Sequence, residues 1–155
     1  MIVDALFPIL EKLVKVINTQ LKQVIHSPDS NLISSCLNII HIFLNKDKVN
    51  LENKEKFPNP DKVIFTYVSF SIIWSLGANL HDTSRGVFGE FMRGQLRPHF
   101  PEFPDGDVFE YGLNLQTHCL QPFNEQIPHF QYNPKANFFD ILVPTNDTVK
   151  YKYIL

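Results

Sequence analysis

Eighteen consecutive residues from Val63 to Leu80 carry no charge, and they set the main constraint on how this 155-residue chain folds. The run is long enough to be weighed as a membrane span. It contains Thr66, Ser69, Ser71, Ser75, Gly77 and Asn79, however, and Pro60-Asp61 and His81-Asp82 flank it without a basic bias. A buried central helix from about Asp61 to Asn79 accommodates these features better. Its apolar residues (Val63, Ile64, Tyr67, Val68, Phe70, Ile73, Trp74 and Leu76) cover several faces, so other elements must surround it.

The covering elements are legible upstream and downstream. Val3, Leu6, Leu10, Leu13, Ile17, Leu21 and Val24 recur every three or four residues, which predicts an amphipathic helix with Asp4 as its cap and Pro8 near its first turn. His26-Ser27-Pro28-Asp29 breaks that pattern. A second helix capped by Asp29 or Ser30 follows, with Leu32, Ile33, Cys36, Leu37, Ile40, Phe43 and Leu44 as its apolar positions. Residues 45–59 are mixed in charge and read as a surface loop, with a helical turn available to Val49–Lys56. A fourth helix is expected over Thr83–Arg97, its inner side formed by Phe88, Phe91, Met92 and Leu96 and its stability lowered by Gly86, Gly89 and Gly94. Pro98, Pro101 and Pro104 end helix formation. Beyond them the chain is irregular, with a turn at Asp105-Gly106 and a short strand at Val108–Tyr111. A buried strand is expected at Phe138–Val143, followed by a helix capped by Thr145 or Asp147. The fold class is therefore mostly α, a helical bundle with a short β-containing C-terminal extension. The unfinished helix at each end reads as a piece of a larger protein.

Composition narrows the chemistry. A net charge of −2 provides no field for nucleic acid. Cys36 and Cys119 are too far apart for a zinc ribbon or a disulfide framework, Cys36 being placed in the core. The N-terminus lacks the pattern of a secretory signal. Six histidines show no metal-ligand spacing, and His118 beside Cys119 would point away from it, so no catalytic couple and no metal site are expected. No phosphate-binding loop, GxGxxG or nucleophile elbow occurs. Arg85, Arg93 and Arg97 fall on one face of the fourth helix, with Glu90 placed to neutralise Arg93 or Arg97. Such a stripe is ordinarily a solvated face; the sharper reading has one arginine reaching a phosphate on an adjoining domain.

Ile72–Leu80 (IIWSLGANL), Asp82–Arg93 (DTSRGVFGEFMR), Asp105–Leu113 (DGDVFEYGL) and Ile141–Tyr151 (ILVPTNDTVKY) resemble, in order and spacing, four segments of the dynein heavy chains. The departures are Ala78 for a glycine, Gly86 and Gly89 for a charged pair, and Lys150 for an arginine. The resemblance implies that residues 1–100 are the small helical lid of the second AAA+ module, 101–137 a connector, and 138–155 the first strand and helix start of the third. It implies no activity for this piece, in a parent that hydrolyses ATP with magnesium to walk toward microtubule minus ends. The implied site residues are Ile141, Leu142, Val143, Pro144 and Thr145, on the adenine side of the third module; Arg85 and Arg93 are the phosphate contacts that the arginine face itself suggests. The implied partners are the neighbouring AAA+ modules and, through the parent, ATP or ADP, intermediate and light chains, and microtubules. Neither nucleic acid nor membrane is among them. The location is cytoskeletal, with the VFEYGLN stretch favouring a ciliary or flagellar axoneme. The alternatives are a stand-alone helical interaction module, told apart by whether the reading frame continues into a phosphate-binding loop, and an enzyme using Arg85 and Glu90.

Overall fold

Helix α1 spans Ile2–Gln20 and α2 spans Asp29–Lys46 in the computed structural model, which describes residues 2–46, 55, 57–127 and 145–154. Leu6, Ile9, Leu13 and Ile17 form the buried stripe of α1, at the three- and four-residue spacing that the sequence predicts. The helix begins before Asp4, which lies within its first turn rather than capping it. Pro8 therefore falls inside the helix and removes one intrahelical hydrogen bond. The helix also stops short of Val24, which is exposed. On α2, Leu32 and Cys36 face the core, whereas Ile33 and Leu37 of the expected apolar set are exposed. Of the residue 45–59 loop, most of Val49–Lys56 lies outside the described residues.

The connection between α1 and α2 is tied to the centre of the molecule by Asn79. Its Nδ2 donates to the Ile25 carbonyl (2.6 Å), Ser27 Oγ (3.1 Å) and Gln23 Oε1 (3.2 Å), while its Oδ1 accepts from the Ile25 amide (3.2 Å). A backbone bond from Val24 to the Asn79 carbonyl (2.8 Å) and a bridge between Gln23 and Leu80 complete the tie.

Helix α3, Pro60–Ile72, opens with Pro60 at its first position and Asn59 capping the Lys62 amide at 3.1 Å. It is the central element expected from the uncharged run, with every residue from Phe65 to Ile72 buried. The serine hydroxyls are accommodated locally, whereas Thr66 Oγ1 is buried without a partner. Ser69 donates to the Phe65 carbonyl (2.5 Å), Ser71 to Tyr67 (2.7 Å) and Ser75 to Ser71 (2.6 Å), each reaching back one turn. Among the described residues no helix is long and apolar enough to cross a membrane. The helix continues as a π turn, Ile73–Gly77, which the apolar pattern did not reveal. Trp74 lies on that turn, half-buried, between two apolar clusters, with ring contacts to Phe70, Phe109 and Phe123 at 6.3, 5.8 and 6.3 Å.

Helix α4 runs Asp82–Leu96 and buries Phe88, Met92 and Leu96. After the prolines, Val108–Glu110 form a 3-10 turn rather than the expected strand. Asp107 Oδ1 accepts the Phe109 amide at 3.0 Å, and Val108 and Phe109 turn into the core. The strand starts three residues later. Here β1 (Tyr111–Asn114) pairs antiparallel with β2 (Cys119–Pro122), Tyr111 opposite Pro122 and Asn114 opposite Cys119. A second 3-10 turn, Phe123–Gln126, follows, and α5 is Asn146–Ile154. The strand expected at Phe138–Val143 lies outside the described residues.

Candidate functional site

His81 caps α4, its Nδ1 accepting from the Thr83 amide at 3.4 Å, and the helix then alternates an aromatic inner side with a polar outer one. Arg85, Arg93 and Arg97 share that outer face, as their spacing predicts. They are engaged rather than solvated as a free stripe. Arg85 pairs with Asp82 at 3.3 Å and lies over the Phe109 ring, 5.1 Å from its centroid. Arg93 donates from Nη1 to the Pro104 carbonyl (3.2 Å) and the Gly106 carbonyl (3.0 Å). Arg97 pairs with Asp105 and donates to the Phe103 carbonyl at 3.5 Å. The carboxylates that pair with these arginines among the described residues are Asp82 and Asp105, not Glu90. Asp105 is held below the usual carboxylate range by the hydrogen bond from Arg97, then by the Arg97 charge, with a smaller contribution from that of Arg93.

These contacts fasten the 103–107 loop across α4 and leave a cleft of about 570 Å³ lined by Asp82, Arg85, Gly86, Gly89, Glu90, Arg93 and residues 106–108. Gly86 and Gly94 face open space, so the helix backbone is directly accessible there. Arg85 Nε is buried without a hydrogen-bond partner, leaving one donor of its guanidinium unused.

The C-terminal candidates fall on a separate element. Thr145 caps α5: its Oγ1 accepts the Thr148 amide at 3.2 Å, and Thr148 Oγ1 accepts the Thr145 amide at 2.7 Å. Ile141, Leu142, Val143 and Pro144 lie outside the described residues. What sequence reasoning missed is Glu110. One carboxylate oxygen accepts from Asn146 Nδ2 and the other from Lys150 Nζ, both at 2.5 Å, joining the 3-10 turn to α5. Burial pushes the Glu110 carboxyl up, but the hydrogen bonds from Lys150 and Asn146 and the Lys150 charge bring it net below its ordinary value. No sequence spacing signals a contact across 36 and 40 residues.

The two cysteines sit in different surroundings. Cys36 is buried, and desolvation pushes its thiol up against a weaker opposing hydrogen bond with Ser75. His118 Nδ1 meets the Tyr67 hydroxyl at 2.7 Å while Cys119 Sγ donates to the Thr117 carbonyl at 3.3 Å, so these neighbours serve different partners. Among the described residues no three metal-ligating side chains come together.

The family profile of the dynein heavy chain AAA lid domain matches residues 3–125. Among curated proteins the chain is 34% identical to dynein axonemal heavy chain 6 of Homo sapiens, over 90% of this chain and 3% of that protein. It is 30% identical to dynein axonemal heavy chain 1 of Mus musculus, over 94% of this chain and 4% of that one. It is 20% identical to the ciliary dynein beta chain of Tripneustes gratilla, over 94% and 3%. The chain thus spans about 3–4% of the length of these relatives.

Proposed function

We propose, from the premise that this chain belongs to the dynein heavy chain AAA lid family, that it is a non-catalytic part of an ATP-driven, minus-end-directed microtubule motor, passing nucleotide-dependent motion around the AAA+ ring. The family match over residues 3–125 is the observation that carries this reading. In it, residues 1–100 are the lid of the second module, 101–137 the connector, and 138–155 the start of the third. The axonemal and ciliary names of the relatives support a place in a cilium or flagellum. Partners of the lid are the adjoining modules; intermediate and light chains and microtubules are partners of the whole heavy chain.

Arg85 and Arg93, which line the cleft beside α4, supply positive charge toward a phosphate on an adjoining module. Ile141, Leu142, Val143, Pro144 and Thr145 supply an apolar wall and backbone groups to the adenine side of the third module. The sequence holds no glycine-rich loop with its lysine, so the triphosphate cradle and the magnesium ligands belong to other parts of the parent. Exposed Phe7, Ile33, Leu37 and Ile42 are the observation favouring a second reading, a helical module that docks a protein partner.

Two substitutions in the full heavy chain test the proposal. Arg85→Ala should reduce microtubule-stimulated ATP turnover toward the basal rate, and Val143→Asp should weaken nucleotide binding at the third module by placing an unpaired charge beside the base. Wild-type stimulation in the first would remove the arginine from the relay. Wild-type affinity in the second would leave Ile141–Thr145 a packing segment only.

A further inference from the structure

We propose that Glu110 is a positioning residue for the nucleotide site of the third module, holding the helix that follows Thr145 in place from the lid side. The inference rests on the reading of Ile141–Thr145 as the adenine side of that site, and the observations that carry it are separate from that reading.

The first observation is how firmly Glu110 is seated. Its neighbour Phe109 is 2% exposed. The Phe109 ring lies 5.7 Å from Phe88 and 5.8 Å from Trp74, with the Arg85 guanidinium over its face. The turn that carries Glu110 is therefore anchored in the lid core, packed against α4 and the π turn.

The second observation is the two-point hold. Asn146 and Lys150 are four residues apart, hence neighbours on one face of α5, and they bind the two different oxygens of the Glu110 carboxylate. One contact would let the helix pivot. Two contacts along the axis fix its direction and its roll. The bond to Lys150 is charge-assisted, and the Lys150 side chain is only 15% exposed, so water competes weakly for it.

The third observation is what α5 begins with. Thr145 is its cap, locked to Thr148 by reciprocal hydrogen bonds, so the position of α5 sets the position of Thr145. The first five residues, Asn146 to Lys150, include one apolar side chain, Val149. The helix also packs on the 3-10 turn Phe123–Gln126, and Glu110 adds the charge-assisted hold. A displacement of the lid core thus reaches Thr145 through the Glu110 carboxylate as well as through the packing of α5 on Phe123–Gln126.

The test uses the full heavy chain with the phosphate-loop lysines of its other modules substituted, so that a fluorescent ADP analogue reports the third module alone. Glu110→Gln should weaken binding about fivefold, at the low end of typical coupling between sites. Lys150→Met, which leaves Asn146 in place, should weaken it similarly, and the exchange Glu110→Lys with Lys150→Glu should recover most of the loss. Melting of the same variants is followed in parallel. A carboxylate with a merely structural role would lower the melting temperature and leave the affinity of the folded protein unchanged. Affinity within twofold of wild type in both single variants overturns the proposal. Val143→Asp is scored separately. Its failure to weaken binding counts against the adenine-side reading, whereas failure of Glu110→Gln and Lys150→Met counts against the positioning role.

Discussion

Gly77→Ala isolates the packing of the central aromatic core. A Cβ built at Gly77 would lie 2.7 and 2.8 Å from two atoms of the Phe88 ring and 2.9 Å from the Phe109 ring. Carbon atoms pack comfortably at about 3.5–4.0 Å, so both rings would have to withdraw by roughly 1 Å. Neither has room. Phe88 is fully buried and Phe109 is 2% exposed; the two rings pack on each other, and Phe109 also meets Trp74. Gly77 has no positive φ, so alanine is conformationally acceptable and gains about 1 kcal/mol in helix propensity. Overpacking costs about 1–3 kcal/mol, and rings buried this fully place this site near the upper end. The net expectation is a loss of about 2 kcal/mol, which lowers the urea midpoint by about 1 M at an m-value of about 2 kcal/mol/M. Equilibrium urea unfolding, followed by far-UV circular dichroism, measures it. Adding Phe88→Leu should recover part of the loss, because the two sites share one contact. A midpoint equal to or above wild type would show that propensity outweighs the clash and that the rings are not confined.

Two further outcomes can be checked on the same protein. Gly86→Ala and Gly94→Ala add a methyl group into open space on α4, so each should stabilise by about 0.5–1 kcal/mol in the same unfolding measurement. The bond between Glu110 and Lys150 follows a carboxyl lowered in the folded state, so its contribution is complete above the unfolded value, near 4.5, and is lost as pH falls through the lower folded value. Protection factors of the α5 amides, taken relative to the intrinsic exchange rate at each pH, should therefore fall below pH 4.5 in wild type, and Glu110→Gln should remove that acid-dependent step.

The helices were legible because burial imposes a period, and Leu6, Leu13, Ile17, Phe88, Met92 and Leu96 obey it. So was the shared face of Arg85, Arg93 and Arg97, which follows from spacing alone. Their partners were not legible, since carbonyl oxygens of Phe103, Pro104 and Gly106 have no sequence signature and come within reach only when the loop folds across α4. The three-residue shift of the strand has a local cause. Asp107 caps the Phe109 amide and bends Val108–Glu110 into a 3-10 turn, although valine and phenylalanine by themselves favour a strand. The π turn left no trace either, because a segment buried on all sides shows no apolar period from which an extra residue could be noticed.

The tie made by Asn79 has a kinetic consequence. Its side-chain bonds join residues 52 to 56 positions apart, so they can form only after α1, α2 and α3 have met and the long loop between them has closed. Contacts of that kind are absent from an early transition state, and their energy is expressed in how slowly the native state opens rather than in how fast it forms. A single amide thereby acts as a brake on unfolding.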